Sequence, residues 1–219
     1  MGPGTTQVAV FLIRASRRGA VAKEMFGESF AGVLCTDRWS AYTCIARRAL
    51  CWVHLLRDFT AMAERHNSPW HGHRLGLLAR EILGHWKSWH NGEIDRERLT
   101  IFTTPLRARF EKVLSWTAKN ASGPKEQGTA RDLLGRLDGL WRFLEDPLVH
   151  PTNNLAERLL RHAGIYRKLS LGTDSAAGSR YIERLLSAAA TLSLQDRNLF
   201  ACLADGMTAH FAGKPAPSL

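Results

Sequence analysis

Apolar and polar positions change rhythm along this chain. "VAVFLI" (8–13) is a short apolar run rich in β-branched and aromatic side chains, and "GVLCT" (32–36) and "ALCWV" (49–53) are of the same kind. Runs of this length and make-up predict buried strands. Between the first two, "RRGAVAKEMFGESF" carries the alanines and Met25 of a crossover helix closed by Gly27, and "RWSAYTCIARR" predicts a shorter helix or turn. The opening is therefore expected to be βαβ-like. From Leu55 onward the period lengthens. Leu75, Leu78, Ile82, Trp86 and Trp89, then Leu99, Phe102, Leu106, Phe110 and Val113, then Leu133, Leu137, Leu140 and Leu144 form three apolar stripes, each with the spacing of an amphipathic helix. "HNGEID" and "KNASGPKEQG" break them at lengths usual between helices. Residues 55–147 should thus form a helical block without a strand. A helix bearing Leu155, Leu159 and His162 follows. "RKLSLGTDSAAGSR" reads as a basic, Gly- and Ser-rich connection, Ile182–Leu194 and Leu199–Phe211 as two more helices, and "AGKPAPSL" as a frayed tail.

Composition narrows the class. The chain has 219 residues, 45% hydrophobic and 23% charged, which is ordinary for a globular protein with a buried core. Its formal charge of +10 favours a polyanionic partner such as nucleic acid. No apolar run of about 18 residues exists, and no basic region precedes the short apolar stretch near Met1, so neither a membrane span nor a signal peptide is expected. A cytoplasmic location is expected. Cys35, Cys44, Cys51 and Cys202 form no CxxC pair, which fits packed thiols rather than a disulfide framework.

Several residues have the right type for chemistry, each with a plainer reading beside it. Asp37 sits where the run "GVLCT" ends, at the strand edge where open α/β folds hold ligands, or else it caps the next helix. Asn154 and Glu157 have N-cap and N3 spacing, and Glu157 and Arg161 are an i,i+4 pair. Yet Asn154, Glu157, Arg158 and Arg161 also share one face, opposite an expected packed face of Leu155, Ala156, Leu159, Leu160 and Ala163. Such a polar stripe suits a divalent cation and phosphates, or simply water. Cys51 and His54 form a CxxH that is half a zinc site, or a pair that packs beside the strand end. His71 and His73 are expected in a solvated loop, and the seven tryptophans mostly in the core rather than stacked on bases. Arg167 and Lys168 precede the glycine-rich connection as phosphate contacts or solvated loop residues.

Taken in order, "DRWSAY", "CWVHLLRDF", a long helical block, "PTNNLAERLLRHAGIYRK" and "GTDSAAGSR" resemble the insertion-sequence-66 family of bacterial DDE transposases over residues 8–211. The resemblance implies an α/β fold, a ribonuclease-H-like core with few strands and a large helical insertion, so that the whole is predominantly α. It implies three carboxylates that bind magnesium (Mg2+) and cleave and rejoin DNA by two-metal phosphoryl transfer, with Asp37 as the second acid and Glu157 as the third. Asn153 and Asn154 would orient Glu157 or touch DNA, with Cys51 and His54 in support. Arg158, Arg161, Arg167 and Lys168 would balance phosphate charge. The expected division is 1–54 and 148–213 as the two parts of the core, 55–147 as the insertion and 214–219 as tail. Partners implied are DNA and a second copy or a full-length transposase, with no membrane.

The chain departs from the family pattern at one point. No aspartate precedes Asp37, and Glu24 and Glu28 are poor substitutes in the expected crossover helix. The expectation is a truncated, inactive transposase that retains two of three metal ligands. Two alternatives remain: a regulatory fragment that binds DNA or transposase without catalysis, and an unstable remnant with an unpaired strand edge.

Overall fold

The computed structural model describes residues 7–16, 18–27, 29–65, 69–170 and 172–219. In chain order its elements are α1 (Gly19–Phe26), β1 (Leu34–Thr36), a 3-10 helix (Ser40–Cys44), β2 (Arg48–Leu50), α2 (Trp52–Ala63), α3 (Pro69–His90), α4 (Arg96–Asn120), α5 (Pro124–Leu134), α6 (Leu137–Glu145), α7 (Asn154–Leu169), α8 (Ala176–Leu194) and α9 (Leu199–Phe211). The fold is predominantly helical, and among the described residues the only sheet is the pair β1–β2. The chain divides into two compact units. One comprises Met1–Leu34, Trp39–Ala46 and Asn153–Leu219, the other Cys35–Arg38 and Arg47–Thr152.

The second unit is built around Trp52, which is 0% exposed. Its ring meets Phe110, Trp141 and Phe143 at centroid distances of 5.5, 5.3 and 5.4 Å, and its Nε1–H donates to the Leu140 carbonyl at 2.9 Å. The indole thus buries its apolar area while its one donor stays satisfied. Leu55, Phe59 and Met62 continue the same face of α2 into the core, each such side chain contributing roughly 1.5–3 kcal/mol. Gly72 lets α3 lie directly on α2, since a Cβ there would stand 2.2 Å from the Ala63 nitrogen.

Three expectations shift here. The strand expected at 49–53 ends at Leu50, because the Cys51 N–H pairs with the Thr36 carbonyl (2.8 Å) and the next N–H, of Trp52, turns away to the Pro151 carbonyl (2.8 Å) as α2 begins. The stripe Leu133–Leu144 is two helices rather than one, broken where Gly135 and Arg136 donate back to Arg131 and Leu133. Part of the expected break, "KEQG", is helical, since Pro124 at the first turn is preset for helix.

In the first unit α1 closes on Gly27 at φ 75°, as predicted, and Glu28 lies outside the described residues. No strand is found at 8–13, so the opening is not the expected βαβ unit. The N–H groups of Ala9, Phe11 and Ile13 donate instead to Thr191 Oγ1 (3.0 Å), Ser187 Oγ (2.9 Å) and Glu183 Oε1 (2.6 Å) of α8, and the Thr191 hydroxyl returns a bond to the Ala9 carbonyl (3.1 Å). Every second residue of an extended chain advances about 6.7 Å, and every fourth residue of a helix about 6 Å, so the two stay in step over three bonds. Arg14 adds ion pairs to Glu24 and Glu183.

The helix α7 buries no residue completely and leaves Leu160 59% exposed. The packed face expected for it is at best half-buried, because α7 packs little against other described elements of its unit. It also runs on to Leu169, and α8 starts at Ala176 with Ser175 as its cap, accepting from the Gly178 N–H at 3.0 Å. The basic connection is therefore shorter than expected. The tail 214–219 has no helix or strand and is exposed, and the Ser218 carbonyl accepts from Arg197 (3.1 Å).

Candidate functional site

Asp37 leaves β1 directly and is half-buried. The helical turn after it begins at Ser40 with Trp39 at the cap position, so Asp37 is not the N-cap that its sequence context allowed. Its neighbours are anchored within the second unit. The Cys35 thiol donates to the His150 carbonyl at 3.6 Å. Burial, and then the nearby Cys51, pushes that thiol up to about 12, which keeps it a protonated donor. The Arg38 guanidinium holds Asp58 Oδ2 of α2 with two bonds (2.7 and 3.1 Å) and Asp132 Oδ2 of α5 with a third (3.0 Å). Arg136 takes the other oxygen of Asp132 at 2.7 Å. Together with the Thr36–Cys51 and Trp52–Pro151 bonds, these contacts gather "CTDR", "CWVH" and "HP" at one place in this unit.

Of the CxxH, Cys51 is buried and His54 half-buried, with Trp52 between them at the centre of the core. Among the described residues no three His, Cys, Asp or Glu side chains are grouped to hold a metal ion. His71 and His73 are helical, not in a loop. His71 is buried, its ring 4.8 Å from that of Trp116 and its Nδ1 3.4 Å from Thr117 Oγ1. Desolvation holds it below the ordinary histidine range. Trp141 is in the core as expected, whereas Trp70 and Trp116 are exposed.

On α7, Asn153 is the cap residue, and its carbonyl accepts the Glu157 N–H at 3.1 Å. Asn154 is the first helical residue, so the Asn154–Glu157 capping box is out of register by one. Asn154, Arg158, Arg161, Arg167 and Lys168 are exposed and Glu157 is half-buried. Helical spacing places Lys168 on the stripe of Asn154, Arg158 and Arg161, while Arg167 falls outside it. Both lie in the last turn, where cations suit the helix dipole. Sequence reasoning missed Arg38, Trp52 and Asp58 as structural determinants, although the alternating signs of "DRW" and "LLRDF" carried a signal for the Arg38–Asp58 pair.

The family model of the transposase IS66 family matches residues 2–181, and the chain belongs to that family. Three proteins of Sinorhizobium fredii (strain NBRC 101917 / NGR234) are similar to it. Uncharacterized protein y4qI is 30% identical over 193 residues, covering 74% of this chain and 33% of y4qI. Uncharacterized protein y4jD is 25% identical over 220 residues (92% and 42%), and y4hP 24% over 234 (96% and 42%). The chain thus spans between a third and about two fifths of the length of these relatives. No solved structure matches it significantly. No described helix is long and apolar enough to cross a membrane.

Proposed function

We infer that the chain is part of the catalytic region of a DNA transposase with a ribonuclease-H-like core, in which Asp37 and Glu157 are two of the carboxylates and α7 meets DNA phosphates. One observation carries this reading: Asp37 emerges from β1 between Thr36, whose carbonyl accepts the Cys51 N–H just before α2, and Arg38, which is ion-paired to α2 and α5, so its carboxylate sits on a braced strand end rather than on a free loop. Family membership supports the transposase class, and the exposed cations Arg158, Arg161, Arg167 and Lys168 support the phosphate-facing role of α7.

Magnesium is the ion that such chemistry uses, and carboxylates are its ligand type. Among the described residues no three His, Cys, Asp or Glu side chains are grouped to hold it. A further acid has to complete the set, and residues 1–36 contain no aspartate. The chain alone is therefore proposed to bind DNA without cutting it. Gel-shift titration of a duplex carrying the element's ends, with and without magnesium, tests this. Binding that needs no magnesium supports the reading, and failure to bind any DNA removes it.

A further inference from the structure

The pair α3–α4 carries an aromatic and basic surface unused by the site described above. The helices run antiparallel, with Trp70 against Trp116 at 5.5 Å and His85 stacked on Phe102 at 4.9 Å. Trp70 is 55% exposed and Trp116 48%. Their planes lie at 68°, so the edge of one indole meets the face of the other and an outer face is left to solvent. The platform is braced from below. Buried His71 supports Trp116, and Thr117, whose hydroxyl donates to the Val113 carbonyl at 2.7 Å, lies beside the His71 ring.

From the 70/116 and 85/102 contacts the register follows: Arg74 stands across from Lys112 and Val113, and Leu77 across from Arg109. Arg74, Leu77 and Trp70 share one stripe of α3, and Phe102, Arg109 and Trp116 share one stripe of α4, with Lys112 at its margin. Glu81 is the single carboxylate on the α3 stripe. Over both helices nine Lys and Arg stand against three Asp and Glu, so this pair carries more than half of the chain's +10 excess. Indoles interleaved with cations match a strand whose phosphates need neutralising and whose bases have free faces. Duplex DNA offers phosphates but no free base face, because its bases are already stacked.

We propose that Trp70 and Trp116, flanked by Arg74, Arg109 and Lys112, form a binding site for unpaired nucleobases of single-stranded DNA. The site deepens the reading of the chain as DNA-acting and rests on it. One base stacks on the open indole face while Arg74, Arg109 and Lys112 follow the backbone.

The test uses the whole chain, a single-stranded oligothymidylate and a duplex of equal length. Tryptophan fluorescence reports on the indoles and gel shift on affinity. The expected result is quenching by the single strand, with its affinity falling on the order of tenfold in Trp70→Ala/Trp116→Ala and duplex affinity unchanged. Trp70→Phe/Trp116→Phe, which keeps flat rings, should retain part of the single-strand affinity, and Trp70→Leu/Trp116→Leu should not. Equal thermal unfolding of the variants shows that the fold is intact. Three results overturn the site: single-strand affinity indifferent to these substitutions, Leu variants that bind as well as Phe variants, or a concentration-dependent dimer that Trp70→Ala dissolves. If duplex binding through α7 persists in those cases, the broader DNA-acting reading stands. If the parent chain binds neither form of DNA, both fail.

Discussion

The backbone N–H of Trp52 donates to the carbonyl of Pro151 at 2.8 Å, which ties the first turn of α2 to the segment leading into α7. The same residue fills the aromatic centre of the second unit. One tryptophan therefore links the core of the helical block to both ends of the chain that enters and leaves it.

Replacing Trp52 should be the costliest single change in this unit. Trp52→Ala is expected to lose about 3–5 kcal/mol in urea unfolding. Trp52→Phe should lose less, keeping ring contacts and forfeiting the Leu140 bond. A loss below about 1 kcal/mol for the alanine variant, the level of an ordinary surface change, would contradict the central position given to this ring.

The bonds from α8 to residues 9–13 make a separate prediction. Thr191→Val keeps the shape but leaves the Ala9 N–H and carbonyl without their buried partner. A destabilisation of about 1–3 kcal/mol is expected, with faster amide exchange at Ala9 and Phe11. Thr191→Ser, which keeps the hydroxyl, should exchange nearly as slowly as the parent. Equal exchange in both variants would mean that the hydroxyl does not hold this segment.

Acid should destabilise the chain in two windows. His71 is held below the ordinary histidine range by desolvation, so the unfolded chain binds its proton first. Its contribution is complete above about pH 6.5 and is lost as pH falls below that value. The Arg65 guanidinium holds the buried Glu126 carboxyl below the usual carboxylate range. That contribution is present above about pH 4.3 and is lost as pH falls through the lower folded value. Thermal unfolding against pH should show both falls. His71→Phe should reduce the upper one, to which His150, held low by burial and then by His90, also contributes, and Glu126→Gln should reduce the lower; a parent whose stability rises on acidification would refute the assignment.

Much of this architecture was legible in the sequence, and the failures have physical causes. The stripes in α3 and α4 and the closing Gly27 could be read because period and cap chemistry are local. The run at 8–13 predicts a strand because apolar β-branched runs announce an extended, buried segment but not its partner. Here the partner is a column of Glu183, Ser187 and Thr191 on a helix far along the chain. The polar run "HGH" predicts a loop at His71, whereas in the structure Gly72 lets two helices touch. At the candidate site Asp37 and Glu157 could be picked out only through motif order, since neither has a local pattern that separates ligand from cap. Arg38 was missed because its two carboxylate partners come from different helices.

A cleavage assay addresses the carboxylates. With magnesium or manganese and DNA carrying the element's ends, this chain alone is expected to give no product above a Glu157→Gln control, because two-metal chemistry needs more acids than Asp37 and Glu157. Cleavage by the parent that is lost in both Glu157→Gln and Asp37→Asn would show that another residue of this chain completes the set.

The proposal that α7 meets DNA phosphates is tested most directly by the salt dependence of duplex binding. For the parent chain the logarithm of affinity should fall steeply and linearly with the logarithm of salt concentration, with little dependence on sequence. Replacing Arg167 and Lys168 together by alanine should weaken all sequences about equally and lower the slope by roughly 0.9 per phosphate contact removed. Adding Arg158→Ala and Arg161→Ala should lower it further. Salt-independent binding, or a slope unchanged in the fourfold variant, would contradict the account.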